Sequence, residues 1–169
     1  MDEFQPSLFR LEPVEADVVY TPVSVAIDII TWLSPSGVCL DPCKGDGAFL
    51  HNLPIGSKWC EITEGLDFFD FNEEVDWIIG NPPYSIFEDW LRHSFELAPN
   101  VCYLVPTNKV FQRLLIMEMI NNYGGIKGMK VYGSGSNVGF PFGFSVGAFY
   151  FARDYKGQVD MILHSEPMI

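Results

Sequence analysis

Positive charge is scarce in this chain: ten Lys and Arg face 22 Asp and Glu over 169 residues, a formal net charge of −12. Phosphate contacts supply most of the affinity with which a basic face holds nucleic acid. The balance disfavours such a face here and leaves open a small acidic subunit that borrows basic surface from a partner. Long hydrophobic runs are missing too. No stretch reaches the roughly 18 uncharged residues of a membrane helix, so no membrane contact is expected. The opening Met-Asp-Glu-Phe-Gln has neither the basic start nor the apolar stretch of a secretion signal. Cys39, Cys43, Cys60 and Cys102 form no CxxC pair, and His51, His93 and His164 stand isolated, so no metal site is expected. Reduced, mostly buried thiols in a cytoplasmic protein are the simplest reading. The dinucleotide fingerprint GxGxxG and the phosphate loop GxxxxGK(S/T) are both absent.

Apolar residues, by contrast, are ample. A hydrophobic share of 48%, with 14 Phe, 7 Tyr and 4 Trp, excludes a disordered chain. The length suits one domain with its own core. Residues 1–17 carry Asp2, Glu3, Glu12, Glu15 and Asp17 with Pro6 and Pro13, and read as an N-terminal arm; residues 18–169 read as a single domain. Val25, Ile29, Ile30 and Leu33 recur at helical spacing, with Thr21 as the expected N-cap, Pro22 in the first turn and a stop near Ser34-Pro35. Strands are expected at 38–40, 58–62, 75–80 and 101–105, and helices at 86–97 and 111–121. Apolar runs at 126–132 and 148–152 flank a Gly- and Phe-rich loop, with a closing strand at 159–163. Strands alternating with helices, followed by a β-rich end, predict an α/β fold whose mostly parallel sheet ends in an antiparallel C-terminal hairpin.

Two motifs carry candidate chemistry. The first is Asp41-Pro42-Cys43-Lys44-Gly45-Asp46-Gly47, placed between a strand and a short helix. Two glycines there let backbone approach a ligand closely, and equally serve an ordinary strand–helix corner. The second is Asn81-Pro82-Pro83-Tyr84, directly after an apolar strand. Proline cannot donate to a ladder, so the strand must end there. The loop then presents Asn81 rigidly at the sheet's C-terminal edge, where open α/β sheets bind ligands.

Together, in this order and with Tyr20-Thr21-Pro22 ahead of them, these motifs resemble the S-adenosylmethionine-dependent amino-methyltransferases, and among those the adenine-N6 DNA enzymes, over roughly residues 18–152. The resemblance implies a Rossmann-like class I methyltransferase fold. It implies that Asp41, Pro42, Gly45 and Gly47, helped by Thr21 and Pro22, hold the methionine part of the cofactor. Glu61 would accept hydrogen bonds from the ribose hydroxyls, while Asp67 and Phe68 would meet the cofactor's adenine. In the same family logic Asn81 and the Pro82 carbonyl accept the hydrogens of the target amine, with Pro83 stiffening the loop. Tyr84 would stack on a base taken out of its duplex. A second aromatic wall is expected from Phe142, with Phe140 next.

The chain also departs from that family. Glu61 and Asp67 lie only six residues apart, too few for a full crossover of at least 10–12 residues, so the helix between the second and third strands is expected to be missing. No target-recognition domain is expected after residue 169. DNA would then be reached through a partner subunit or self-association, in a cytoplasmic or nucleoid-associated setting in a prokaryotic or phage-infected cell. RNA adenine or a protein glutamine amide are the alternative acceptors, and a non-catalytic methyltransferase-like subunit is the remaining reading.

Overall fold

A computed structural model describes residues 18–166 and residue 168, so the expected arm at 1–17 lies outside the described residues. Among the described residues seven strands form one sheet: β1 Cys39–Asp41, β2 Lys58–Trp59, β3 Trp77–Gly80, β4 Asn100–Pro106, β5 Gly124–Ser134, β6 Ser145–Arg153 and β7 Asp160–Leu163. Their spatial order is β2-β1-β3-β4-β6-β5-β7. β2, β1, β3 and β4 run parallel, β6 is antiparallel to both β4 and β5, and β7 runs parallel to β5. The α/β class, the parallel sheet and the antiparallel hairpin agree with the sequence reading.

Among the described residues four α-helices cover the two faces: α1 Val23–Leu33, α2 Phe87–Leu97, α3 Thr107–Phe111 and α4 Leu114–Tyr123. On one face Val25, Ala26 and Ile29 of α1 pack with Ile79, Cys102 and Leu104 of the sheet. On the other, Trp90, Leu91 and Phe95 of α2 and Ile116 and Ile120 of α4 pack with Ile78, Val101, Tyr103 and Val105. β4 is covered on both sides, which is why its sequence is continuously apolar rather than alternating. Among the described residues no helix is long and apolar enough to cross a membrane.

The departures from the expected elements have local causes. β2 is two residues long, because Glu61 bridges Leu66 and folds the chain back after Cys60. Two 3-10 turns, Ile62–Glu64 and Phe68–Asp70, stand where a crossover helix would be, as the short spacing requires. Leu50–Asn52 is likewise only a 3-10 turn. The helix expected at 111–121 is divided between α3 and α4. Thr21 does not cap α1: Pro22 takes the N-cap position with an extended backbone and no side-chain cap bond, because the Thr21 hydroxyl is engaged elsewhere. At the other end Ser34 adopts the left-handed conformation and its N–H closes the last turn on Ile30 ahead of Pro35, as expected.

Candidate active site

Parallel register brings the C-terminal ends of β1 and β3 side by side, so the glycine loop and Asn81-Pro82-Pro83-Tyr84 emerge next to each other. Asp41, the last residue of β1, is 1% exposed. One carboxylate oxygen accepts from Cys43 N–H at 3.3 Å and the other from Leu50 N–H at 3.1 Å, so a single side chain gathers both ends of the loop. Burial pushes its carboxyl up to about 7, against the opposing pull of those two amides. Gly45 and Gly47 have φ of +52° and +93°, conformations that glycine adopts without strain. A Cβ on Gly47 would meet the ring of the exposed His51, which would have to swing aside, so the positive φ is the main demand for glycine there.

Glu61 reaches across to the same loop. Its Oε2 accepts from Gly45 N–H at 2.9 Å, and its Oε1 accepts from the N–H and hydroxyl of Thr63 at 3.1 and 2.8 Å. Burial raises its carboxyl, but the hydrogen bonds outweigh burial and leave it below the ordinary glutamate value. Lys44 is held by an ion pair with Glu64 at 2.7 Å and lies over the Trp59 ring at 3.9 Å. Asp67 accepts from Phe69 N–H at 3.0 Å and thereby caps the second 3-10 turn. Phe68 is buried against Trp90, with ring centroids 4.6 Å apart. Pro42, Cys43, Glu61, Asp67, Phe68, Pro83 and Ile86 together line a partly enclosed, mainly apolar cleft. Among the described residues no three His, Cys, Asp or Glu side chains are grouped to hold a metal ion.

Asn81 is held through its side-chain amide. Its Nδ2 donates to the Val19 carbonyl at 3.2 Å and to the Thr21 hydroxyl at 3.1 Å. Its Oδ1 is buried and has no hydrogen-bond partner. The Asn81 carbonyl accepts from the Cys43 thiol at 3.1 Å, which ties the two motif loops together. Burial drives that thiol's pKa well up, so Cys43 meets the Asn81 carbonyl as a neutral hydrogen-bond donor. Neither this link nor the Val19 and Thr21 contacts were read from the sequence; no local spacing signals contacts between residues 38 to 62 positions apart.

The phenylalanine loop between β5 and β6 forms a graded stack. Phe140 is 4% exposed and belongs to the core beneath the loop. Phe142 stacks on it at 4.9 Å, and Phe144 stacks on Phe142 at 3.9 Å. Phe144 is 46% exposed, and its ring meets Tyr84 edge-on with centroids 6.4 Å apart. The ring that meets Tyr84 is Phe144, a residue the sequence reading did not name for this wall, with the expected Phe142 stacked behind it. Alternation places the three rings on one side of the loop but does not say which of them reaches the surface. Gly139 backs onto Pro22, whose Cγ would lie 3.3 Å from an added Cβ, so Pro22 supports this loop.

The strand order, parallel half and antiparallel hairpin form a Rossmann-like α/β fold that methyltransferases of known structure share. Solved structures with the same fold include three methyltransferases. A candidate class I S-adenosylmethionine-dependent methyltransferase from Listeria monocytogenes superposes with TM-score 0.66 at 14% identity, over 91% of this chain and 68% of that one. The type I restriction-modification methyltransferase subunit from Streptococcus thermophilus gives 0.61 at 15%, over 86% and 47%. A candidate RNA methyltransferase from Pyrococcus horikoshii gives 0.60 at 15%, over 85% and 93%. The chain thus spans about half of the restriction-modification subunit and nearly all of the archaeal protein. No family model and no curated protein sequence matches the chain.

Proposed function

We propose that the protein is an S-adenosylmethionine-dependent methyltransferase acting on the exocyclic N6 amine of adenine, with DNA as the leading acceptor. The carrying observation is Asn81 Oδ1: a buried, unpartnered acceptor whose own amide hydrogens are already spent. Leaving such an atom unsatisfied costs about 1–3 kcal/mol, a cost offset once an amine N–H donates to it. Such a bond draws the amine away from planarity and concentrates its lone pair for attack. With an acceptor of this kind no strong base is required, and catalysis rests on positioning and on bonds that improve in the transition state.

The residues present fit the cofactor. S-adenosylmethionine, when bound, supplies an electrophilic sulfonium methyl group. Gly45 and Gly47 present backbone without side chains, while Asp41 holds their loop in place. Glu61 is the acceptor for ribose hydroxyls and would exchange its Gly45 and Thr63 bonds for them. Asp67 and Phe68, at the apolar cleft, take the adenine end. Tyr84 and Phe144 form the aromatic walls for a flat acceptor, which favours a nucleobase over a protein amide. Entry of a base requires the two rings to part.

A second reading, methylation of RNA adenine, has its own support: the archaeal neighbour described as a candidate RNA methyltransferase is matched over 93% of its length. With a net charge of −12, either acceptor is best held with help from a partner subunit or a second copy. The deciding experiment is transfer of labelled methyl to duplex DNA, single-stranded DNA, total RNA and a protein lysate, with Asn81→Ala alongside. Label on N6-adenine of DNA, lost in Asn81→Ala, is the expected result. Label confined to RNA selects the second reading, and label on protein removes both.

A further inference from the structure

Building on that reading, we infer that Thr21 is the positioning residue for Asn81: with the Val19 carbonyl it holds the amide in the orientation that leaves Oδ1 unpartnered. A side-chain amide fits its site in two flipped orientations of nearly equal shape, one presenting its acceptor and the other its donors. A backbone carbonyl can only accept, so the group facing Val19 at 3.2 Å must be the NH2. Hydroxyls are less discriminating and serve either orientation. Once Val19 has chosen, the Thr21 Oγ1 accepts the second amide hydrogen at 3.1 Å, and both donors are committed.

Thr21 is 7% exposed, so water does not readily replace its hydroxyl. Its hydroxyl is also not used to cap α1, which begins without a side-chain cap. A role in holding the cofactor's methionine part, implied by the family resemblance, would instead leave the Asn81 amide held by the Val19 carbonyl alone, with one donor uncommitted and the orientation less firmly fixed. Flipping would present N–H groups to an amine that itself needs an acceptor, and the complex would be unproductive. Thr21 thus acts through Asn81 on the chemical step, while the segment before α1 becomes a strut of the active site.

The experiment compares Thr21→Val, which removes the hydroxyl at similar size, with Thr21→Ser, which keeps it. The first readout needs no acceptor or cofactor: hydrogen exchange of the Asn81 side-chain amide by nitrogen-15 NMR, its signals identified by their loss in Asn81→Ala. Two protected hydrogens are expected in the wild type and in Thr21→Ser, and one in Thr21→Val. Unprotected hydrogens in the wild type, or an unchanged pattern in Thr21→Val, overturn the inference. The second readout is methyl transfer to single-stranded adenine-containing DNA. Thr21→Val is expected to lower kcat about tenfold or more, the scale of one lost hydrogen bond, with the KM for S-adenosylmethionine unchanged and kcat restored by Ser. A raised KM for S-adenosylmethionine with kcat intact assigns Thr21 to the cofactor and also overturns the inference. Should Val at this position prevent folding, Thr21→Ala carries the same comparison. Absence of transfer by the wild type to any acceptor, with the exchange pattern as expected, ends the proposed reaction and leaves the orientation of Asn81 standing.

Discussion

The two halves of the sheet's working edge are built by different means. On the β1–β2 side the strands are three and two residues long. Three carboxylates hold the loops there by accepting backbone N–H groups: Asp41 from Cys43 and Leu50, Glu61 from Gly45 and Thr63, and Asp67 from Phe69. On the β5–β6 side the strands run 11 and nine residues. The loop between them is supported by a long ladder below, with register shifts at Ile126/Gly128 and Val131/Gly133, and by a stack of three phenylalanines above. The backbone ladder and the three rings carry no titrating group of their own, and Lys130 of β5 is ion-paired with Asp28 of α1 at 2.6 Å. A loop cross-linked through ionisable side chains is shaped by protonation. Under the proposed function the same comparison separates roles: the first half brings backbone close to the cofactor, and the second offers flat rings to the acceptor.

The largest expected effect lies in the hairpin half. Phe140→Ala should cost about 3–5 kcal/mol of stability in chemical denaturation, as for other buried phenylalanines, with no dependence on pH. A cost near zero would mean that Phe140 leaves the core in solution. Next, Asn81→Ala should lower methyl transfer about 10²–10³-fold, the scale for one preorganised polar contact at a reacting centre. Calorimetric affinity for S-adenosylmethionine should hardly change, and parallel losses in both would place Asn81 in cofactor binding instead.

The carboxylate-built half should respond to pH through Asp41. Its carboxyl is raised from 3.8 to about 7 in the folded state, so between these values the folded chain binds the extra proton. Stability therefore falls as pH rises through that window and levels off above it, by an amount on the order of a few kcal/mol. In Asp41→Asn that part of the slope should vanish, whatever the variant's overall stability; a parallel slope in both chains would break the contrast between the halves. Phe144→Ala should do least. The exposed ring contributes little to folding, and its loss should raise the acceptor KM by the equivalent of about 1–3 kcal/mol, the range for base stacking. Equal acceptor KM values for Phe144→Ala and the wild type would remove it from the base-facing wall.

Much of the frame was legible in sequence. Apolar runs mark β1, β3 and β4, because strands buried on both faces leave no room for polar residues. Glycine and proline mark the corners, since each restricts the backbone locally. The missing crossover helix followed from counting residues between Glu61 and Asp67. The divided helix at α3 and α4 was not visible, since Gln112 and Arg113 carry no breaker. Nor was the long reach of the hairpin ladder into the glycines on either side of its strands, where pairing overrides weak local preference.

Within the candidate site, sequence alone determined which residue types stand at the edge and in what order, because motif spacing is a local property of the chain. Tertiary structure decided what those residues touch. It turned Thr21 from a helix cap towards Asn81, set the Cys43 thiol on the Asn81 carbonyl, and brought Phe144 to Tyr84 while burying Phe140. Each of these contacts joins positions far apart in the chain, and contacts of that kind are set by how strands and helices pack rather than by any residue's neighbours in sequence.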